Sequence, residues 1–258
     1  MHDKKALQNG TSHYFGNGFP TAFDITFTDK ENKQCHPYET SWGFTTRTIG
    51  GVIMTHGDNR GLVLPPRVAP IQVVVIPVAQ HKQGVLEANR AVMDRLKSAG
   101  FRVKLDDSDQ SAGWKFAEYE MKGVPLRLEL GPKDMEKNQC VLVRRDSGEK
   151  SFVSLDNIEQ TVAQMLDAIH DGLYAKAKKN LEDNTYACAT LEEVKEKMAA
   201  QGGFIKTMWC GDLACEMKMK EAAGLSSRCM PFEQEHLSDV CPCCGKPASK
   251  MVYWGVAY

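Results

Sequence analysis

A chain of 258 residues with 42% hydrophobic and 25% charged side chains has the makeup of a soluble globular protein, long enough for one large domain or two to three small ones. Its formal net charge of −1 excludes binding of polyanions through bulk charge, so any nucleic-acid contact must come from a local surface. No run reaches the roughly 18 apolar residues of a membrane helix, and the N-terminus lacks the apolar core of a signal peptide, so the chain reads as cytoplasmic with no membrane partner.

The chain opens on MHDKKALQNGTSH, where a basic pair gives way to a compact polar turn, Asn9–His13, of a kind that ordinarily lies inside a fold. Through about residue 70, FGNGFPTAFDITFTD and SWGFTTRTIGGVIMTHG are rich in Phe, Thr and Ile and punctuated by glycine, which predicts strands. Pro65, Pro66 and Pro70 exclude helix and sheet interior and mark a domain hinge.

Residues 71–185 alternate strand and helix. IQVVVIPV is the near-continuous apolar run of a strand buried on both faces. Val85, Ala88, Val92, Leu96 and Ala99 recur at spacings of three and four, predicting a helix that Gly100 stops. FRVKLDD, VPLRLEL and QCVLVRR read as further strands, and SAGWKFAEYEMKG as a short helix ending at Gly123. Ile158, Val162, Leu166, Ile169 and Leu173 form one stripe of a long helix. This order predicts an open α/β sheet with parallel pairs.

Residues 186–258 read as a small α+β unit. Thr190 and Glu193 give a capping-box signature before a helix, and GGFIKTMWC and SKMVYWGVAY look like strands. Six of the nine cysteines lie between Cys210 and Cys244. In a reducing compartment such clustering favours metal over disulfides. Cys210 and Cys215 in CGDLACE, with Cys241 and Cys244 in CPCCGKP, supply the two close pairs of a structural zinc site, and four thiolates leave no open position for catalysis. A unit of about 70 residues has a small core that a metal staple would stabilise. Cys243 is an alternative to Cys244, although a spacing of two is the commoner pairing. Cys35, Cys140, Cys188 and Cys229 read as plain core or surface thiols.

LQNGTSH, followed by TSWGFTTRTIGGVIMTHGDNRGLVLPPRVAP, closely resembles the prolyl-tRNA synthetases of the archaeal/eukaryotic type, which are class II enzymes. The string THGDNRGLVLPP is long and unusual in composition, and the later regions follow the family's order. The resemblance implies three domains: residues 1–70 as the last part of an antiparallel class II catalytic sheet, 71–185 as an anticodon-binding α/β domain, and 186–258 as a zinc-binding C-terminal domain. The fold class is then α/β and α+β, multidomain. No counterpart of the first or second class II motif is present, so the resemblance implies a C-terminal portion unable to form prolyl-adenylate alone.

The resemblance also assigns roles. TTRTIGG resembles the third class II motif, making Arg47 the catalytic and ATP-binding arginine, since a guanidinium plane can stack on adenine and donate hydrogen bonds at once. Gln8 and Thr11 resemble further ATP contacts. Thr45 joins them if its stretch is a strand, where it would share a side with Arg47. His13 and Trp42 resemble the lining of the proline pocket. Gly43, Gly50 and Gly51 would permit close backbone approach. His56, Asp58, Asn59 and Arg60 read as a polar turn with no acid/base role, because the substrate carboxylate is itself the nucleophile. Lys115, Arg127, Glu129 and Lys133 are the tRNA-binding candidates, with Glu129 placed to accept from guanine. Expected ligands are ATP with magnesium, L-proline, tRNA(Pro) and zinc, in an enzyme that is a homodimer at full length. A second reading is a noncatalytic RNA-binding zinc module derived from a synthetase. A third is a redox protein using Cys241 with Cys243 or Cys244, which lacks a thioredoxin-like context.

Overall fold

A computed structural model describes residues 1–258. The first elements are β1 (Gly10–Gly16), α1 (Gly18–Ala22), β2 (Phe27–Thr28), β3 (Gln34–Cys35), β4 (Glu39–Phe44) and α2 (Arg47–His56). Then come β5 (Val73–Pro77), α3 (Val85–Ser98), β6 (Val103–Leu105), α4 (Ala112–Met121), β7 (Leu126–Leu130), α5 (Pro132–Glu136), β8 (Gln139–Arg144), β9 (Lys150–Ser154) and α6 (Ile158–Asp183). The last are β10 (Thr185–Ala187), α7 (Leu191–Ala200), β11 (Phe204–Trp209), α8 (Leu213–Ala223), β12 (Ser226–Cys229) and β13 (Lys250–Gly255). They form two compact units, residues 52–183 and residues 1–51 with 184–258.

In the continuous unit, a five-stranded sheet has the order β6-β5-β7-β8-β9. β5 is parallel to β6 and β7, as the strand–helix alternation predicts, and β8 and β9 extend the sheet antiparallel. All of Val73–Pro77 is buried, as two-sided coverage requires. One parity of the strands, including Val73, Val75, Leu126, Leu128, Leu130, Cys140 and Leu142, meets Val92 and Leu96 of α3 and the whole predicted α6 stripe in a single core. On the other face α4 lies over β5, where Val74 and Ile76 pack with Tyr119 and Val124. β9 and α5 fall in stretches whose sequence pattern assigns nothing.

The proline segment is not a free hinge. Leu62 and Leu64 donate backbone bonds to Met121 (2.9 Å) and Gly123 (3.2 Å), and Val63 enters the core. Gly61 (φ +129) and Gly123 (φ +71) permit this crossing: a Cβ on Gly123 would lie 2.6 Å from the Leu62 backbone, and one on Gly61 2.5 Å from the Met121 carbonyl. Arg102 then bonds the carbonyls of Pro66 and Ala69, at 2.8 Å each.

In the discontinuous unit the sheet order is β10-β11-β13-β12. Ile205, Leu225, Val252 and Trp254 are core residues, and the Trp254 indole donates to Thr207 at 2.9 Å. The Thr190–Glu193 capping box opens α7 as predicted. The N-terminal residues join this unit: Ala6 bridges Ala257 in parallel, and Tyr258 donates its hydroxyl to Asp3 at 2.7 Å. β1 and β4 form a separate antiparallel ladder, and β2 and β3 a hairpin.

The strand expected through SWGFTTRTIGGVIMTHG holds only to Phe44. From Arg47 to His56 the chain is helical. Its β-branched composition favours extended backbone, but the Thr45 hydroxyl accepts from the Arg47 amide at 3.3 Å, as an N-terminal cap does.

Asp58 fastens the loop after α2. Both carboxylate oxygens accept from Arg145 (2.7 and 2.8 Å), a buried guanidinium whose Nε also bonds the Glu120 carbonyl at 2.7 Å. The polar-turn reading of HGDNRG therefore stands, with a structural task added. The Arg145 guanidinium holds the Asp58 carboxyl well below the usual carboxylate range, outweighing partial burial. A depressed carboxylate stabilises fully above its unfolded value of about 4, and this is lost as pH falls further. Asp58→Asn leaves a buried cation short of its partner. Because Asp58 is itself partly exposed and water can replace some of the lost interaction, the substitution is expected to cost about 1–2 kcal/mol at pH 7 in urea unfolding. The gap between parent and variant should narrow below about pH 4.

Candidate metal centre and nucleic-acid interface

Cys210 ends β11. Asp212 then caps α8 by accepting from the Ala214 amide at 3.0 Å, which turns Cys215 inward on the first helical turn. Cys241 and Cys244 lie on a tight turn closed by bonds from the Cys241 amide to Lys246 and from the Gly245 amide to Cys241, at 2.9 Å each. The four sulfurs fall within 4.8 Å of one another, and Cys210 is 3.7 Å from both Cys215 and Cys244. A tetrahedron of zinc–sulfur bonds of about 2.3 Å has sulfur–sulfur edges of about 3.8 Å. The donor set and spacing therefore fit a four-coordinate thiophilic ion. Burial raises the Cys210 and Cys215 thiols, and the neighbouring sulfurs raise Cys215 further, whereas the Lys246 amide lowers Cys244. Cys243 stays outside the cluster: its side chain is buried in the core, and burial pushes its thiol up to about 11. Cys140 and Cys188 are buried, Cys35 half-buried and Cys229 exposed.

The N-terminal candidates divide into two groups. Arg47 donates to the Gln8 carbonyl at 3.2 Å and lies beside Thr45, so these three meet at the start of α2. Helical backbone, rather than a shared strand face, brings Thr45 and Arg47 together. Thr11 and His13 point to one side of β1, as the stacking of His13 on Phe15 (5.3 Å) shows. Register pairs Ser12 with Trp42 and His13 with Ser41. Trp42 thus lies on the opposite face from His13 and is 79% exposed, so the two do not line a common wall of this ribbon. Gly43 opposes Thr11, whose hydroxyl would be 3.5 Å from an added Cβ, and Gly51 packs on Asn9. No atom of the chain lies within 4 Å of a Cβ built at Gly50.

In the 52–183 unit, the face of β7–β9 opposite the core carries charge. Arg127 donates to Glu129 at 2.8 Å, and its guanidinium lies 4.1 Å from the centre of the Phe116 ring. A cavity of about 160 Å³ opens beside them, lined by Arg60, Glu120, Arg127, Arg144, Arg145 and Lys150 among others. Arg60 pairs with Glu120 and Arg144 with Asp146. Sequence reading missed Arg144, Arg145 and Lys150, and took Arg60 only as part of a polar turn. The signal available was the density of cations in RRDSGEK, directly after a predicted strand. Lys133 is exposed on α5. Lys115 must be corrected: the residue is 1% exposed, and its ammonium donates inward to the Asp106 carbonyl (2.9 Å) and Gln80 (3.2 Å). It holds the end of β6 against α4 and cannot reach a phosphate.

Comparison with known proteins accords with this geometry. Residues 72–165 match the family model described as "Anticodon binding domain", and residues 191–258 match "Prolyl-tRNA synthetase, C-terminal". The whole chain is 60% identical to a Ruminiclostridium cellulolyticum protein named "Proline--tRNA ligase" and 58% identical to a Bacillus cereus protein named "Proline--tRNA ligase 2". A Clostridium botulinum "Proline--tRNA ligase" is also 58% identical. In each case the chain spans 54% of the relative, about half the length of the curated proteins it matches. An anticodon-binding domain followed by a synthetase C-terminal domain defines a piece of an aminoacyl-tRNA synthetase. The chain belongs to the prolyl-tRNA synthetase family and corresponds to its C-terminal half. No helix is long and apolar enough to cross a membrane.

Proposed function

We propose that this chain serves proline–tRNA ligation, the ATP-dependent activation of L-proline and its transfer to tRNA(Pro), chiefly by holding the anticodon. The observation that carries this is the cationic cavity on the open sheet face, within the segment matched by the anticodon-binding model. Phosphate contacts supply affinity and base edges supply discrimination. Arg127, Glu129 and Lys133 remain the candidates from sequence, joined by Arg60, Arg144 and Lys150. A carboxylate such as Glu129 suits the amino group and ring N–H of the guanines in a proline anticodon. In binding titrations with anticodon stem–loops, Glu129→Ala is expected to lower the preference for the proline anticodon more than the overall affinity. Equal losses for matched and mismatched loops would refute base reading by this residue.

Residues 1–70 serve, in this reading, as part of the class II catalytic sheet, with magnesium accompanying ATP. The exposure of Tyr14, Trp42 and Phe44 on a two-stranded ribbon supports it, since such a ribbon is marginal alone and suits the edge of a larger sheet. Gln8, Thr11, Thr45 and Arg47 contact ATP, and His13 contacts proline. Trp42 reaches the amino-acid site only from the other face of the ribbon. Arg47→Ala in an exchange-competent full-length enzyme, a homodimer in this reading, is expected to slow proline-dependent ATP–pyrophosphate exchange by about 10²–10³. An unchanged rate would remove Arg47 from the ATP site.

Zinc is the proposed occupant of the four-thiol cluster, as a structural ion in a cytoplasmic protein. It would neutralise thiolates that otherwise repel one another, and would tie the α8 start to the 241–244 turn. Metal analysis is expected to find one zinc per chain. Cys244→Ser should lose it and unfold the C-terminal domain on mild heating, whereas Cys243→Ser should retain it. Stoichiometric zinc without both Cys210 and Cys215 would refute the four-thiolate site.

A further inference from the structure

Phe152 lies in the middle of β9 and is 70% exposed. Its neighbour Val153 turns the other way and packs against the core, so Phe152 belongs to the open face. Register places it in a row across three strands, Glu129–Val141–Phe152, beside a second row, Arg127–Val143–Lys150. Successive residues on one face of a strand are about 7 Å apart, so the ring stands one step from the Lys150 position and shares a row with a carboxylate.

A large aromatic left in water on an edge strand invites unwanted pairing, and a polar or β-branched side chain would serve a solvated position as well. Lys150 is exposed on the same strand, whereas Arg127 and Glu129, two strands away, already pair with each other. An occupant of this face is therefore matched by a flat apolar surface for Phe152 and negative charge for Lys150. A purely apolar protein surface meets only the first demand. An unpaired nucleotide meets both, through its base plane and its phosphate. We propose that Phe152 is a stacking platform for one unpaired base of the anticodon loop. The inference rests on the anticodon-binding reading above and adds to it a residue that acts through its π-face rather than through charge.

The test uses the 258-residue chain and a synthetic proline anticodon stem–loop, with affinity measured by fluorescence anisotropy at several salt concentrations. Phe152→Ala is expected to weaken binding on the order of tenfold. It should leave the salt dependence unchanged, because no phosphate contact is lost. Phe152→Trp should bind as the parent does, and Phe152→Leu should bind like the alanine variant. A 2-aminopurine placed at one loop position should be quenched by the parent and by Phe152→Trp, but not by Phe152→Ala. Parent-like binding by Phe152→Ala or Phe152→Leu would overturn the platform while leaving anticodon binding intact. A dimer formed without RNA and abolished by Phe152→Ala would overturn it in favour of a second copy of the chain. Failure of the parent chain to bind any stem–loop would overturn the anticodon reading and the platform with it.

Discussion

Alternation along β7 divides the 52–183 unit into an inside and an outside. Leu126, Leu128 and Leu130 are fully buried, each contributing roughly 1.5–3 kcal/mol, and this fixes which way Arg127 and Glu129 must point. A slip of one residue in register would bury the ion pair and expose the leucines, so the core enforces the site. β8 and β9 inherit the same parity through their pairing with β7. The charged face exists because α4 lies over β5 on that side, leaving the antiparallel strands accessible. Arg60 and Glu120 then border the cavity, and the Asp58–Arg145 clasp holds the loop that carries Arg60.

The C-terminal domain achieves specificity differently. Its core is small, and the segment from Met230 to Ser249 contains no helix or ladder strand. Backbone turns at Gly245 and the capped start of α8 bring four sulfurs together at the margin of that core, in which Cys215 and Cys241 are themselves buried. Cys243, between Cys241 and Cys244 in sequence, packs in the same core but outside the group of four. The thiol cluster and the core thus share neighbouring residues of one turn.

Strong periodicity made much of this legible in the sequence. The α6 stripe, the buried run of β5, the Thr190 capping box and the spaced cysteine pairs are all local patterns, and each is present in the structure. The losses came where tertiary context decides. Arg47–His56 has strand-like composition but is capped as a helix by Thr45. Lys115 has the appearance of a surface lysine on an amphipathic helix, yet its partners at Asp106 and Gln80 come from elsewhere in the chain. The opposition of His13 and Trp42 depends on pairing register, which no motif encodes. The cationic cavity draws on β7, β8, β9 and the loop after α2, so no single stretch announces it. The resemblance carried by LQNGTSH and THGDNRGLVLPP pointed to the family, but not to which charged side chains meet in space.

The bridge between Ala6 and Ala257 joins residues separated by nearly the whole chain. Residues 52–183 are contiguous and can assemble as soon as α6 has been synthesised. The discontinuous unit is different, because β11 has β13 as a partner, and the segment around Ala6 waits for the residues that follow β13. Long-range pairing of this kind carries a large loop-closure entropy and forms late. During translation the segment around Ala6 therefore waits for most of this chain before it can pair, and a chain cut short after β11 would leave it without that partner.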